Sequence, residues 1–380
     1  MPARILFVLP GLTGSGAAQV AVTLMQNLDA SRFEPAVVPF YAGNDYQKEL
    51  PAGLRVLPLH ERSPQRFGRL GWRLLRLIRR ERPDLLLAFG NRANCISVIA
   101  AKLARTGTRL VLSEHSAMEC STRRTRRRRL LGRLTRWTHP RADAVVAVSE
   151  GIRRDLIGGF GLSSGLVRTI YNPIGVLRVR ALAAEPAPEM ADGSGLPAVI
   201  TCGRLVAEKN QALLLRAFRD VQGKCPSRLV IAGDGELRAE LERLAAELGV
   251  RERVRFLGFQ ANPFRLMAKA ACFALSSRWE GFPMVLLEAM ACGAPVVSAD
   301  CDYGPREIIT PERNGLLVPP GDQAALAVAL ARVLTDAELR ARLAAEASRT
   351  VLRYDAPAVT RQYEGLFEEV LGKSGRGGGA

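Results

Sequence analysis

The chain of 380 residues is expected to fold as two α/β domains built on parallel sheets. Three observations predict this. Short apolar runs recur along the sequence, and each is followed by a polar or Gly-rich turn and a helix-forming stretch, the order of a βαβ unit. The length is too great for one compact core and suits two. Residues 176–197 are rich in Ala, Pro, Glu and Gly and read as part of a linker. The expected division is therefore a first domain over residues 1–171, a linker over 172–197 and a second domain over 198–356. A further helix follows over 357–372, and a Gly-rich tail over 373–380 reads as disordered.

The first domain opens with a buried strand over Arg4 to Leu9, the Gly-rich turn Pro10 to Gly16, and a helix from Ala17 to about Leu28. Gly16 would let a ligand approach the backbone closely. Strands are expected over Glu34 to Phe40, Leu54 to Leu59, Leu85 to Phe89 and Leu110 to Leu112, with a last one over Ala144 to Ser149. Arg66 to Arg80 reads as an amphipathic helix, with Phe67, Leu70, Leu74, Leu77 and Ile78 on one face and Arg66, Arg69, Arg73, Arg76 and Arg80 on another. His115 follows a strand directly, at the carboxyl end of a parallel sheet, where ligands of such folds bind. His60 and His139 have no such context and read as structural.

In the second domain, Ala198 to Thr201 is a strand, and the turn Gly203-Arg204-Leu205-Val206-Ala207-Glu208-Lys209-Asn210 leads into a helix. Further strands are expected over Leu229 to Ala232, Val254 to Gly258, Ala271 to Leu275, Pro295 to Ser298 and Leu316 to Val318. The turn Gly233-Asp234-Gly235 can adopt positive φ. The most informative stretch is Trp279 to Gly293. Pro283 suits the first turn of a helix, Met284 to Ala291 are good helix formers, and Gly293 suits its end. The free N–H groups at the start of that helix, over Gly281, Phe282, Pro283, Met284 and Val285, can hold an anion. Glu280 stands before the helix and Glu288 on its second turn. Carboxylates accept hydrogen bonds from sugar hydroxyls, so this arrangement suits a phosphate between two polyhydroxyl groups.

Glu280 and Glu288, separated by seven residues within Glu280-Gly281-Phe282-Pro283-Met284-Val285-Leu286-Leu287-Glu288, resemble the E-x7-E signature of glycosyltransferase family 4. Gly203 to Asn210 is similar to that family's G-R-L-x-x-x-K-[GN] motif, and Gly304-Pro305-Arg306-Glu307 to its G-P-x-E variant. The resemblance implies a GT-B fold of two Rossmann-like domains facing a cleft, with the final helix returning to the first domain. It also implies a retaining enzyme that takes a nucleotide diphosphate sugar, a UDP-hexose or UDP-hexosamine being favoured. In this likeness Arg204 and Lys209 hold the donor diphosphate, and His115 faces the donor sugar. Gly16, Asn172 (in an N-P step), Gly203, Gly233, Asp234 and Glu288 belong to the donor site, and the turn at Phe259-Gln260 touches the base. Two cations at a helix start can neutralise a leaving diphosphate. Asp300-Cys301-Asp302 follows a different strand, so no metal cofactor is expected.

Net charge is +17, and residues 62–141 hold 21 Lys and Arg against 4 Asp and Glu, which is the whole excess. Arg73, Arg76 and Arg80, together with Arg126, Arg127, Arg128 and Arg129, are expected to face an anionic lipid or lipid-linked acceptor. Leu130, Leu131, Leu134 and Trp137 give the Arg-rich run an apolar edge, and its aromatic content is too low for base stacking. No run is long enough to span a membrane. The first nine residues read as a strand, not a signal peptide. Seven cysteines without C-x-x-C, four of them (Cys95, Cys202, Cys272 and Cys292) in apolar surroundings, read as reduced core residues of a cytosolic protein. The expectation is peripheral contact with the inner membrane face and no nucleic-acid partner. Alternatives are a nucleic-acid-binding protein or a sugar-nucleotide epimerase.

Overall fold

The computed structural model describes residues 1–12, 16–41, 46, 49–59, 67–115, 126–191 and 193–372. Two compact units emerge, Met1–Pro173 with the final helix from Ala356, and Ile174–Asp355.

The first unit is a parallel sheet of seven strands in the order β3-β2-β1-β4-β5-β6-β7. The strands are β1 (Ala3–Leu9), β2 (Phe33–Pro39), β3 (Arg55–Val56), β4 (Leu85–Phe89), β5 (Arg109–Glu114), β6 (Ala144–Ala147) and β7 (Val167–Thr169). β1, β4 and β6 read as near-continuous apolar runs because helices cover both faces of the sheet. The helices are α1 (Gly16–Asn27), α2 (Phe67–Glu81), α3 (Asn91–Ala104), α4 (Arg126–Thr138) and the short α5 (Glu150–Arg154). Ser149 caps α5, its hydroxyl accepting from the Ile152 N–H. Two expectations need correction. β3 has only two residues, because Val56 is partly exposed and Arg55 turns outward to Glu81. The strand expected over Ala144 to Ser149 is not the last, since β7 pairs with β6.

The second unit is a six-stranded parallel sheet, β10-β9-β8-β11-β12-β13. Its strands are β8 (Ala198–Cys202), β9 (Arg228–Ala232), β10 (Val254–Gly258), β11 (Cys272–Leu275), β12 (Val296–Ala299) and β13 (Leu316–Val318). Residues 172–197 are not a bare linker. They contain α6 (Val176–Ala183), whose Val176, Val179 and Ala183 are buried, and Asn262 donates to the Leu182 carbonyl at 2.9 Å. The helix adds apolar cover that an open connector would leave exposed. Among the remaining helices are α7 (Gln211–Gln222), α8 (Arg238–Glu247), α9 (Phe264–Met267), α10 (Met284–Ala291), α11 (Pro305–Ile308), α12 (Gln323–Thr335) and α13 (Ala337–Thr350). Asp322 and Asp336 cap α12 and α13 with their carboxylates.

The last helix, α14 (Ala356–Gly372), lies in the core of the first unit. Tyr363 and Phe367 are fully buried beside Phe7 and Phe33, and Glu364 accepts from the Asp29 N–H at 2.8 Å. The expected tail from residue 373 lies outside the described residues.

Removing the Phe367 ring leaves a cavity under α1 and β2. Phe367→Ala should destabilise the first unit by about 3–5 kcal/mol. Urea unfolding checks this, and a loss below about 1 kcal/mol would detach α14 from the core.

Candidate active site

In the second sheet the chain winds one way from β8 to β10 and the other way from β11 to β13. The reversal falls between β8 and β11, and ligands of open parallel sheets bind at the carboxyl end of such a switch point. The loop after β8 carries Arg204 and Lys209, and the loop after β11 carries Glu280. The structure brings two of them together, with Lys209 Nζ donating to Glu280 Oε1 at 2.6 Å. Ser277 Oγ donates to the same carboxylate oxygen at 2.6 Å. Ser276 Oγ bonds the carbonyls of Lys209 and Asn210, both at 3.0 Å, and the Arg278 N–H donates to the Glu208 carbonyl at 2.8 Å. The two loops are thus stitched through both backbone and side chains.

A third loop, after β9, packs beneath them. Gly233 has φ +148°, and a Cβ there would stand 1.9 Å from the Gly203 carbonyl oxygen. Gly233 is therefore required by its contact with the Gly203 backbone. Asp234 is committed locally, accepting from the Gly235 N–H and from Arg238, while its carbonyl receives the Leu205 N–H. The loop after β12 closes the set. Trp279 bridges to Asp302, and a Cβ on Gly304 would lie 2.4 Å from Pro283 Cδ. Asp300 is bound in a two-point contact by Arg306.

Pro283 stands just outside α10 as its cap residue, not in its first turn. The N–H groups of Met284 and Val285 open the helix without an intrahelical acceptor. The side chains of Phe282 and Met284 are buried, and Phe282 packs on Tyr354 at 5.7 Å, so these residues can offer a ligand only backbone. Glu288 is half-buried on the second turn, and its charge, after burial, helps raise the Cys202 and Cys292 thiols, the latter to about 12. Arg204 is exposed, and Phe259 is 80% exposed beyond β10. Among the described residues no group of three His, Cys, Asp or Glu side chains is arranged to hold a metal.

In the first unit His115 stands at the end of β5. Ser113 Oγ lies 2.9 Å from its Nε2, and Phe89 packs on the ring at 5.5 Å. Burial pushes its pKa down to about 3, so the imidazole is neutral at pH 7. No described atom lies within 4 Å of a Cβ built on Gly16, so the fold does not demand glycine there. Asn172 is buried, and its Oδ1 has no partner among the described residues. Arg73 donates to the Leu59 carbonyl, Arg76 lies over Trp72 at 4.6 Å and Arg80 pairs with Glu81 at 2.9 Å. Arg129 is exposed on α4; the side chains of Arg126, Arg127 and Arg128, and the whole of His60 and Arg66, lie outside the described residues.

Sequence reasoning missed the residue beside His115. Glu114 is fully buried; its Oε1 accepts from Asn94 at 2.6 Å and lies 2.8 Å from His139 Nε2. Cys95 and Thr138 complete this pocket, so Cys95 is in polar rather than apolar surroundings. Burial opposes the His139 charge, but Cys95 and Glu114 prevail and raise its pKa to about 9. Twenty-five residues separate Glu114 from His139, and no local pattern links them.

Two parallel-sheet α/β units, with a lysine–carboxylate pair and a helix start at the switch point of the second, fit the GT-B architecture of a glycosyltransferase. Comparison with known proteins gives the same class. Residues 191–350 match the family "Glycosyl transferases group 1", and residues 14–176 match "Glycosyltransferase Family 4". An N-acetylgalactosamine-N,N'-diacetylbacillosaminyl-diphospho-undecaprenol 4-alpha-N-acetylgalactosaminyltransferase of Campylobacter jejuni is 32% identical, over 73% of this chain and 74% of that protein. The lipopolysaccharide core biosynthesis glycosyltransferase LpsD of Rhizobium meliloti is 30% identical, over 95% of this chain and 97% of that protein. HepE of Anabaena, solved with UDP and glucose, shares the fold with a TM-score of 0.83 at 23% identity, over 96% of this chain and 99% of that one. The chain belongs to glycosyltransferase family 4.

His139 also sets a pH dependence. Its pKa is raised from an ordinary 6.5 to about 9, so the pair's contribution is complete below pH 6.5 and is lost as pH rises through 9. Stability of the first unit should fall by about 2–3 kcal/mol across that window. His139→Gln should flatten the slope in urea titrations; an unchanged slope would mean the buried histidine carries no charge.

Proposed function

We propose that this glycosyltransferase transfers a hexose or hexosamine from a UDP-sugar, with retention of configuration and without a metal, to a lipid-linked glycan at the cytoplasmic membrane face. The observation that carries the donor half is the Lys209–Glu280 contact at the switch point. A diphosphate placed beside the start of α10 meets the Lys209 ammonium, the Arg204 guanidinium and the N–H groups of Met284 and Val285. These groups balance the charge that a metal would otherwise carry. Glu288 accepts hydrogen bonds from the ribose, Phe259 stacks on the base, and Glu280 orients the sugar. As the glycosidic C–O bond to the diphosphate breaks, the departing phosphate oxygen takes the proton of the acceptor hydroxyl, which bonds to the same face of the sugar. His115, neutral, accepts a hydrogen bond from the donor sugar and stabilises developing positive charge.

The UDP preference draws on HepE, solved with UDP-glucose as well as with UDP. The acceptor draws on the Campylobacter relative, whose name specifies a diphospho-undecaprenol substrate. Peripheral attachment is compatible with the helices, none of which, among the described residues, is long and apolar enough to cross a membrane.

Glu288→Ala should weaken UDP-sugar binding by about 1.5–3 kcal/mol, the worth of a charged hydrogen bond. Calorimetry measures this, and an unchanged Kd removes Glu288 from the donor site. Arg204→Ala should cut turnover about 100-fold or more, and the product anomer, read by NMR, should match the donor's. Loss of activity in EDTA with recovery in magnesium would overturn the metal-free reading.

A further inference from the structure

The basic surface of the first unit contains two adjoining hollows that the transfer reaction leaves unused. One, of about 860 Å³, runs along α2 and is walled on its apolar side by Val56, Leu59, Trp72 and Leu77. The other, of about 420 Å³, is lined by Arg79, Arg82, Ala104, Arg105 and Thr106. Arg79 lines both, so they form one groove, mixed at one end, where Arg73, Arg76 and Arg80 stand beside the apolar side chains, and cationic at the other. No carboxylate is among the described residues that line either hollow, and none pairs with Arg79, Arg82 or Arg105. Glu81, the acidic residue of α2, is held by Arg55 at 2.6 Å and by Arg80 at 2.9 Å.

The backbone at the cationic end is costly. Arg82 and Arg105 follow the last residues of α2 and α3 with φ of +44° and +55°. That region is natural for glycine and costs another residue about 1–2 kcal/mol. An arginine near a helix C-terminus regains only about 0.3–1 kcal/mol from the helix dipole, so fold stability does not account for either arginine. Thr108 Oγ1 donates to the Pro83 carbonyl at 2.9 Å and bonds Thr106 at 2.8 Å, which holds the two turns side by side. Arg79, which donates to the Leu103 carbonyl at 3.1 Å, lines this end together with Arg82 and Arg105, and their full charges outweigh the half-charges of the two helix ends. Planar forks of this kind match phosphate oxygens.

We propose that this groove binds one molecule of an anionic phospholipid, its phosphate at Arg79, Arg82 and Arg105 and its acyl chains against Leu59, Val56 and Trp72. Trp72 is 56% exposed, and Leu103, also on this surface, is 57% exposed. About 15 Å of helix separates Trp72 from Arg82, within the reach of an acyl chain. The ligand is a bilayer lipid and not the sugar acceptor. Arg82 and Arg105 precede β4 and β5, whereas His115 follows β5, a strand length of about 20 Å away. The site therefore anchors the enzyme at the amino-terminal end of the strands, remote from chemistry, and it rests on the peripheral-membrane reading for its setting.

The test uses the full chain and dihexanoyl phosphatidylglycerol below its micellar concentration, with sn-glycerol 1-phosphate and dihexanoyl phosphatidylcholine as comparisons. The variant is R79S/R82G/R105G, in which glycine relaxes both strained turns and so preserves folding. Phosphatidylglycerol should bind wild type at least about tenfold more tightly than either comparison, and the variant should lose on the order of tenfold or more in affinity. Glycerol phosphate binding as tightly as the lipid would reassign the groove to a soluble phosphate compound. If anionic vesicles capture wild type and variant equally while the short lipid binds neither, the groove proposal falls and the membrane reading stands. If the short lipid behaves as expected but vesicles do not capture wild type, the groove proposal stands and the membrane reading falls.

Discussion

A lysine ammonium held against a carboxylate joins the two loops on which the proposed donor site depends. Lys209 and Glu280 are only 22% and 11% exposed, and Ser277 shares the carboxylate. A pair so shielded gains from its charges only if its remaining hydrogen bonds are met, and breaking one partner leaves the other uncompensated. The contact spans the switch point, so the same interaction that fixes the loops poises a cation beside the start of α10. A diphosphate entering there would share Lys209 with Glu280, which couples binding of the leaving group to the placement of the carboxylate assigned to the sugar.

The pair is held in place by backbone contacts that exclude side chains. Gly233 lies against the Gly203 carbonyl, and Gly235 against Leu205, where an added Cβ would meet backbone at 2.5 Å. Gly304 sits on Pro283. The glycines of this sheet edge therefore lock four loops together, and the polar groups they position are few. In the first unit a buried charge plays the corresponding part, with Glu114 fixed by His139 and Asn94 immediately before His115.

Much of this was legible in the sequence, and for identifiable reasons. The strands of the second unit are apolar runs closed by Gly turns, and Met284 to Ala291 forms the expected helix because its residues favour one and Gly293 ends it. What was not legible depends on tertiary placement. Val167-Arg168-Thr169 is too short and polar to read as a strand until β6 pairs with it. Val176 to Ala183 was hidden by its Ala- and Pro-rich surroundings, although three of its residues are buried. The packing reason for Gly233 was hidden because the backbone it touches, Gly203, is thirty residues away. Phe282 and Met284 share a motif with Glu280 and Glu288, and only burial separates backbone donors from side-chain contacts.

The most direct test of the Lys209–Glu280 unit is a double-mutant cycle on turnover, with Lys209→Met, Glu280→Gln and the two combined. If the residues act as one device, the double variant should be no slower than the worse single variant, because either substitution already dismantles the pair. Losses that multiply would show that the lysine and the carboxylate act independently and would contradict the account.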